Sequence, residues 1–273
     1  MTIRRAVAAP CFADDPMDLV ALAAEAEAAG FDGFFLWDHM VFANDGDGPA
    51  IVDPWAVLSV IAARTSSIVL GPMITPVPRR RPWVLARQTV TLDRIAGGRT
   101  VFGVGIGSPA YGDFGIFGDP TEARTRAEML DEGLAVMAGL WSGDRFEFHG
   151  DHYSLAPVRF LPTPVSRIPV WVGGVLPAAA PMRRAARWDG AVPIRFADGA
   201  LARPSPADIA GVRDLVLERR GSLDGYDLVV WAEVAPNPDL SSYVDSGATW
   251  WIETAKPEPD WYGGLRRRIA LGP

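Results

Sequence analysis

His39 follows Asp38 directly, and an imidazole beside a carboxylate is a pair able to move protons near neutral pH. The same two residues also describe a buried structural histidine held by backbone hydrogen bonds. A glycine run, Gly103-Val104-Gly105-Ile106-Gly107-Ser108, leaves room for a flat ligand to approach the backbone, or else forms a tight turn. It is not the dinucleotide fingerprint, because Ser108 takes the last glycine position and Pro109 follows. Gly173-Gly174 precedes a helical stretch, where free amides can hold a phosphate or simply make a turn. Arg79-Arg80-Arg81 reads more readily as a solvated face than as a guide for an anion. Glu233 and Glu253 are candidate acids or bases, and equally partners for arginines. His149 and His152 flank Asp151 with no third or fourth metal ligand in the run, so no metal site is expected. The one lysine, Lys256, lies off the strands, which removes Schiff-base chemistry.

These residues need elements to position them, and the pattern supplies strands alternating with helices. Strands are expected at 5–9, 33–37, 68–75, 100–104, 169–172, 190–194, 228–234 and 248–253. Helices are expected at 15–29, 53–64, 82–95, 121–140, 178–187, 205–220, 240–245 and 262–270, the first two opening on Asp15-Pro16 and Asp53-Pro54. An Asp- and Gly-rich loop spans 43–49, and a small hairpin turning on Gly150-Asp151 lies within an insertion at 143–168. Eight strand–helix units close most naturally into a (β/α)8 TIM barrel, one domain over 1–273, with a shortened C-terminal part. In such a barrel chemistry sits at the C-terminal strand ends, which selects Trp37-Asp38-His39, Ile74-Thr75, the run 103–108, Gly173-Gly174 and the two glutamates. Trp37, Trp171, Trp231, Trp250 and Trp251 fall on strands, some to fill the barrel and some to line its mouth.

Composition narrows the field further. The 273 residues are 49% hydrophobic and 22% charged, enough for a full core, and the net charge of −7 argues against nucleic-acid binding by a basic field. One cysteine, Cys11, excludes an internal disulfide and fits a reducing, cytoplasmic compartment. No apolar run reaches the length of a membrane span.

The ordered set of motifs resembles the luciferase-like family of flavin- and deazaflavin-dependent oxidoreductases. Its elements are Gly30-Phe31-Asp32-Gly33 leading to Trp37-Asp38-His39, and Leu92-Asp93-Arg94-Ile95-Ala96-Gly97-Gly98-Arg99 leading to the glycine run. Ala123-Arg124-Thr125-Arg126 then leads to Leu140-Trp141-Ser142-Gly143. Ile168-Pro169-Val170-Trp171-Val172-Gly173-Gly174 and Arg184-Ala185-Ala186-Arg187-Trp188-Asp189-Gly190 complete the set.

The resemblance implies a homodimeric barrel binding FMN or coenzyme F420 at its mouth and acting on a small organic substrate. It favours a monooxygenase using reduced flavin and O2; F420-dependent hydride transfer without O2 is the alternative, and a non-catalytic ligand-binding barrel the rival. His39 and Asp38 would serve proton transfer. Trp37, Ile74, Thr75, Gly105, Gly107 and Ser108 would frame the ring, with a non-prolyl cis peptide near Ile74, and Gly173 and Gly174 would approach the phosphate. A metal-dependent hydrolase ranks last, because only Asp38-His39 qualifies for it. The chain departs from the family pattern at Ile106, where FMN members often carry arginine, and at Ser108, where hydride-transferring deazaflavin members often carry glutamate. The segment 175–180 also lacks the hydroxyls that would hold phosphate.

Overall fold

A computed structural model describes residues 2–43, 47–197, 200–234 and 239–273, so the expected loop at 43–49 lies partly outside the described residues. The chain alternates β1 (Arg4–Ala9), α1 (Pro16–Ala28), β2 (Gly33–Leu36), α2 (Pro54–Arg64), β3 (Val69–Pro72), β4 (Thr75–Pro76), α3 (Pro82–Ala96) and β5 (Phe102–Gly105). Next come α4 (Ala123–Trp141), the hairpin β6 (Arg145–His149) and β7 (Ser154–Arg159), β8 (Val170–Val175) and α5 (Ala179–Ala185). Then follow β9 (Gly190–Ala197), β10 (Ala200–Ala202), α6 (Pro206–Arg220), β11 (Asp227–Glu233), α7 (Leu240–Asp245), β12 (Trp250–Thr254) and α8 (Trp261–Ala270). Helix starts follow the expected chemistry: Asp15 and Asp53 accept hydrogen bonds from Met17 N and Ala56 N, each at 2.8 Å, ahead of Pro16 and Pro54.

The parallel strands pair in the order β3-β2-β1-β12-β11-β9-β8-β5-β4, and a bridge between Leu70 and Thr100 joins the ends into a barrel. The expected third strand at 68–75 is interrupted. Its first part pairs with β2 and its second with β5, and the cis peptide Met73–Ile74 lies at the crossover. β10, which the sequence pattern did not reveal, adds antiparallel to β9 at the barrel rim. The helix expected from 121 starts at Ala123, after Gly118 in a left-handed conformation. The insertion docks on α4 through Glu132, whose carboxylate accepts from the amides of Asp151, His152 and Tyr153 at 2.9–3.0 Å. Among the described residues, no helix is long and apolar enough to cross a membrane.

Two buried layers result. Leucines, valines and alanines fill the space between strands and helices, while Phe35, Met73, Trp171, Val229, Trp250 and Ile252 fill the barrel itself. Trp171 and Trp250 meet edge to face at 5.3 Å, so the barrel is plugged below its mouth. Closure brings β3 and β5 so near that a Cβ on Gly71 would lie 1.8 Å from Val101 O, and one on Gly103 would lie 2.3 Å from Pro72 O. Gly71→Ala therefore forces two backbones apart and should destabilise the fold by ~3 kcal/mol, the upper part of the overpacking range, in urea unfolding. An unchanged midpoint would contradict this reading of the closure.

Candidate active site

Asp38 leaves the end of β2 and turns into a fully buried polar cluster. Its Oδ2 accepts from Thr75 Oγ1 at 2.8 Å, Trp55 Nε1 at 3.3 Å and Arg80 Nη2 at 3.1 Å. Its Oδ1 accepts from Arg80 Nη2 at 2.9 Å and from Arg79, which also donates to the Asp38 carbonyl at 3.0 Å. The triple-arginine segment is thus not a solvated face: the side chains of Arg79 and Arg80 are only 4% and 16% exposed. Two guanidinium groups in so dry a place need a counter-charge, and Asp38 supplies it. Asp38 is not the residue that orients His39.

That work falls to Asp113, in the loop after β5. Asp113 Oδ2 lies 2.6 Å from His39 Nδ1, while its Oδ1 accepts from Met40 N at 2.7 Å and Val41 N at 3.2 Å. Arg79 Nη1 stands 3.0 Å from the same oxygen, so one guanidinium links both carboxylates. Burial opposes ionisation of Asp113. The His39 hydrogen bond and charge, the Arg79 charge and the Met40 amide outweigh it and hold the carboxyl below its ordinary range. An ionised carboxylate can only accept, so the Nδ1 proton of His39 points at Asp113 and Nε2 is the ring nitrogen left for exchange with a substrate. Phe42 and Tyr111 stack at 4.4 Å and meet the imidazole edge-on at 5.0 and 5.7 Å, which fixes its plane. Trp37 lies 6.0 Å away and donates through Nε1 to Thr254 Oγ1 at 3.0 Å.

The remaining residues divide. Ile74 is half-buried and lies over the strand-end glycines: a Cβ on Gly173 would meet Ile74 Cδ1 at 2.1 Å, and one on Gly105 would meet Ile74 Cγ2 at 3.2 Å. Gly107, at φ +71°, packs against Phe114 and Pro76, and Gly174 admits Pro181 and Met182. Ser108 accepts from Ala110 N at 3.2 Å and is exposed. Thr75 is fully buried and committed to Asp38. Glu253 points out of the barrel, buried between Arg5 at 3.3 Å and Arg268 at 2.5 Å. Glu233 follows Trp231 on the inward face and pairs with Lys256 at 3.6 Å. His149 and His152 sit on the distant hairpin against Ser154 and Glu128. Cys11 is buried, its thiol pushed up to about 12 chiefly by desolvation, and so is inert. A cleft of about 360 Å³ lined by Trp141, Arg167, Trp188 and Asp189 opens at the opposite, N-terminal end of the strands.

Sequence reasoning missed Asp113 and misread Arg79 and Arg80. The signal for Asp113 was positional, since the loop after the fourth barrel strand lies on the active face. Only the fold shows which of its residues reaches His39.

Removing the charge by Asp38→Asn leaves Arg79 with Asp113 alone and Arg80 with only the 3.8 Å contact to Asp53, and should cost ~3–5 kcal/mol in chemical denaturation. For Asp113, the folded pKa is depressed. Its stabilising contribution is complete above the ordinary aspartate value of about 3.9 and is lost as pH falls through the lower folded value. Asp113→Asn should remove that part of the acid-unfolding curve, and identical curves would show that the carboxylate contributes none of it.

Comparison with known proteins agrees with this fold. The profile of the luciferase-like monooxygenase family matches residues 4–260. The chain is 29% identical over 252 residues to the F420-dependent glucose-6-phosphate dehydrogenase of Nakamurella multipartita, covering 89% of this chain and 70% of that protein. It is 32% identical over 166 residues to the enzyme of the same name from Microbacterium testaceum, covering 60% of this chain but only 48% of the relative. In fold it is similar to an F420-dependent secondary alcohol dehydrogenase solved with an F420–acetone adduct, with a TM-score of 0.78, 17% identity and 98% of both chains covered. A barrel with this strand order, matched over nearly its whole length by one family profile, belongs to the luciferase-like monooxygenase family.

Proposed function

We propose that the barrel mouth takes the tricyclic ring of a flavin or deazaflavin and that the protein exchanges a hydride with a small organic substrate. The fit rests on what the mouth presents. Ile74, Ile106, Ile194 and Trp231 are half-buried at strand ends, and Ile74 lies over Gly105 and Gly173. Such a surface suits one face of a planar ring. The residues at 173–180 offer a phosphate no hydroxyl and no cation, and Pro181 and Met182 fill the Cβ side of Gly174. Trp37, Ile74, Gly105, Gly107 and Ser108 are therefore taken as ring neighbours, and no phosphate grip falls to Gly173 and Gly174.

When bound, the ring supplies the acceptor or donor of the hydride. The chain's own task is the proton that accompanies it. Oxidation of an alcohol carbon releases a hydroxyl proton, and Nε2 of His39 is the base for it. Asp113 keeps the tautomer and steadies the imidazolium that forms. Asp38 acts at one remove, by holding Arg79 against Asp113. The observation that carries the reading is the 2.6 Å Asp113–His39 contact at the mouth of this barrel. The names of the sequence relatives favour deazaflavin hydride transfer over oxygenation, and the family's name keeps the O2-dependent reading as the second one.

His39→Ala should lower turnover by ~10²–10⁴-fold while leaving cofactor affinity, read by tryptophan quenching, nearly unchanged. Equal turnover would remove His39 from the mechanism. Oxygen uptake by the protein loaded with reduced FMN, set against bleaching of oxidised F420 under nitrogen, separates the two readings. Binding of neither cofactor would sink both.

A further inference from the structure

Arg126 stands where electrostatics alone would not put it. It lies in the first turn of α4, at the positive end of that helix's dipole, and is 2% exposed. Among the described residues its hydrogen bonds run only to carbonyls, and no ion pair holds it. Nη1 donates to Ile106 O and Gly107 O at 3.3 and 3.0 Å, while Nε is buried without a partner. Desolvation pulls its pKa down, with only the charge of Glu122 acting the other way. Arg99, which also lacks an ion pair, is by contrast bonded through all three nitrogens to five acceptors. A guanidinium kept dry, at the disfavoured end of a helix and only partly bonded, is accounted for by what it touches.

What it touches is both ends of one segment. The chain leaves β5 through Ile106 and Gly107, runs exposed over 108–110, and returns to the interior at Asp113 and Phe114. Gly107, at φ +71°, turns the run so that the Phe114 ring lies 2.7 Å from where its Cβ would be. The Arg126 guanidinium covers that ring, 4.6 Å from its centroid. One side chain therefore holds the start of the segment by its carbonyls and the end by its ring. The backbone adds no tie of its own: among the described residues every backbone–backbone hydrogen bond of 109–119 closes within the segment. The Asp113 carboxylate is anchored on the β2 side by Met40 N, Val41 N and Arg79. Its main chain is held to β5 and α4 through Phe114 and Arg126.

We propose that Arg126 is a positioning residue for the His39–Asp113 pair. It clasps the Ile106 and Gly107 carbonyls and the Phe114 ring, and Asp113 is the residue next to that ring. The clasp thus sets where the carboxylate meets His39 Nδ1 at 2.6 Å. A planar fork reaches two carbonyls and a ring face at once, which an ammonium on a flexible stem does not. The inference rests on the proton-transfer reading of His39 only for its effect on turnover, and its geometry is tested without cofactor.

The test is proton NMR of the intact protein in water, because a ring N–H held against a carboxylate gives a slowly exchanging signal far downfield. His39→Ala identifies the signal by its loss. Arg126→Met, which keeps much of the volume and removes the clasp, should abolish the signal or speed its exchange by about tenfold or more. Phe114→Leu should do the same from the other side of the clasp, and it carries the test if Arg126→Met does not fold, folding being read by urea unfolding. Arg124→Met, at a 91% exposed arginine on the same turn of α4, should leave the signal unchanged. A folded Arg126→Met or Phe114→Leu protein that keeps the wild-type signal overturns the inference. So does a wild-type protein without such a signal, and so does its loss in Arg124→Met. With F420 or FMN loaded, Arg126→Met should turn over about 100-fold more slowly, the cost of misplacing a reacting group. Absence of turnover in the wild type strikes the proposed function and leaves the NMR result standing.

Discussion

One buried carboxylate organises the active face of this barrel. Asp38 is shared by two guanidinium groups that stand far from water, and through Arg79 it reaches Asp113. Asp113 in turn fixes the tautomer and plane of His39. The connections after β2, β4 and β5 are thereby tied together by charge as well as by packing. An electrostatic tie suits this position because the contacting groups differ in length and come from separate loops, where a purely apolar contact would allow sliding. Its cost is interdependence: losing one member leaves a buried charge with fewer partners.

A steric constraint complements the electrostatic one. β3 and β5 approach until no side chain fits between them, which only Gly71 and Gly103 permit, and this approach closes the barrel. Below the mouth the tryptophans and Phe35 plug the interior. Above it the glycines and Ile74 leave a shallow, half-buried surface. The same strands thus provide a rigid floor and an open top, and the active face inherits its precision from the floor. Loops that carry His39 and Asp113 rest on it through Phe42, Tyr111 and Trp37.

Much of this was legible in the residues themselves. Capping aspartates followed by proline, glycine stops and the alternation of apolar runs located the helices and strands within a few residues. The barrel and its active end followed from the alternation. The interruption at Met73–Ile74 was not readable from the run of apolar residues, because a strand that changes ladder partners has the same composition as one that does not. The short β10 escaped notice for a similar reason: three residues carry no periodicity. His39 was readable as a residue at a strand end, but its partner was not, since Asp38 is adjacent in sequence and Asp113 is adjacent in space.

The amino-acid sequence by itself determined the architecture, because secondary-structure periodicity and turn chemistry are local properties and eight repeated units have few ways to close. It also set the inventory available for chemistry: three histidines, one lysine, a single thiol and many arginines. Which members of that inventory meet was decided only by the tertiary structure. Arg79 and Arg80 look like a solvated run until the barrel places them against a carboxylate from another strand. Gly173 and Gly174 look like bare backbone until Ile74 and Pro181 are seen beside them. Side-chain contact and burial are non-local, and charge acts through them, so the roles of these residues appear only once the strands are brought into register.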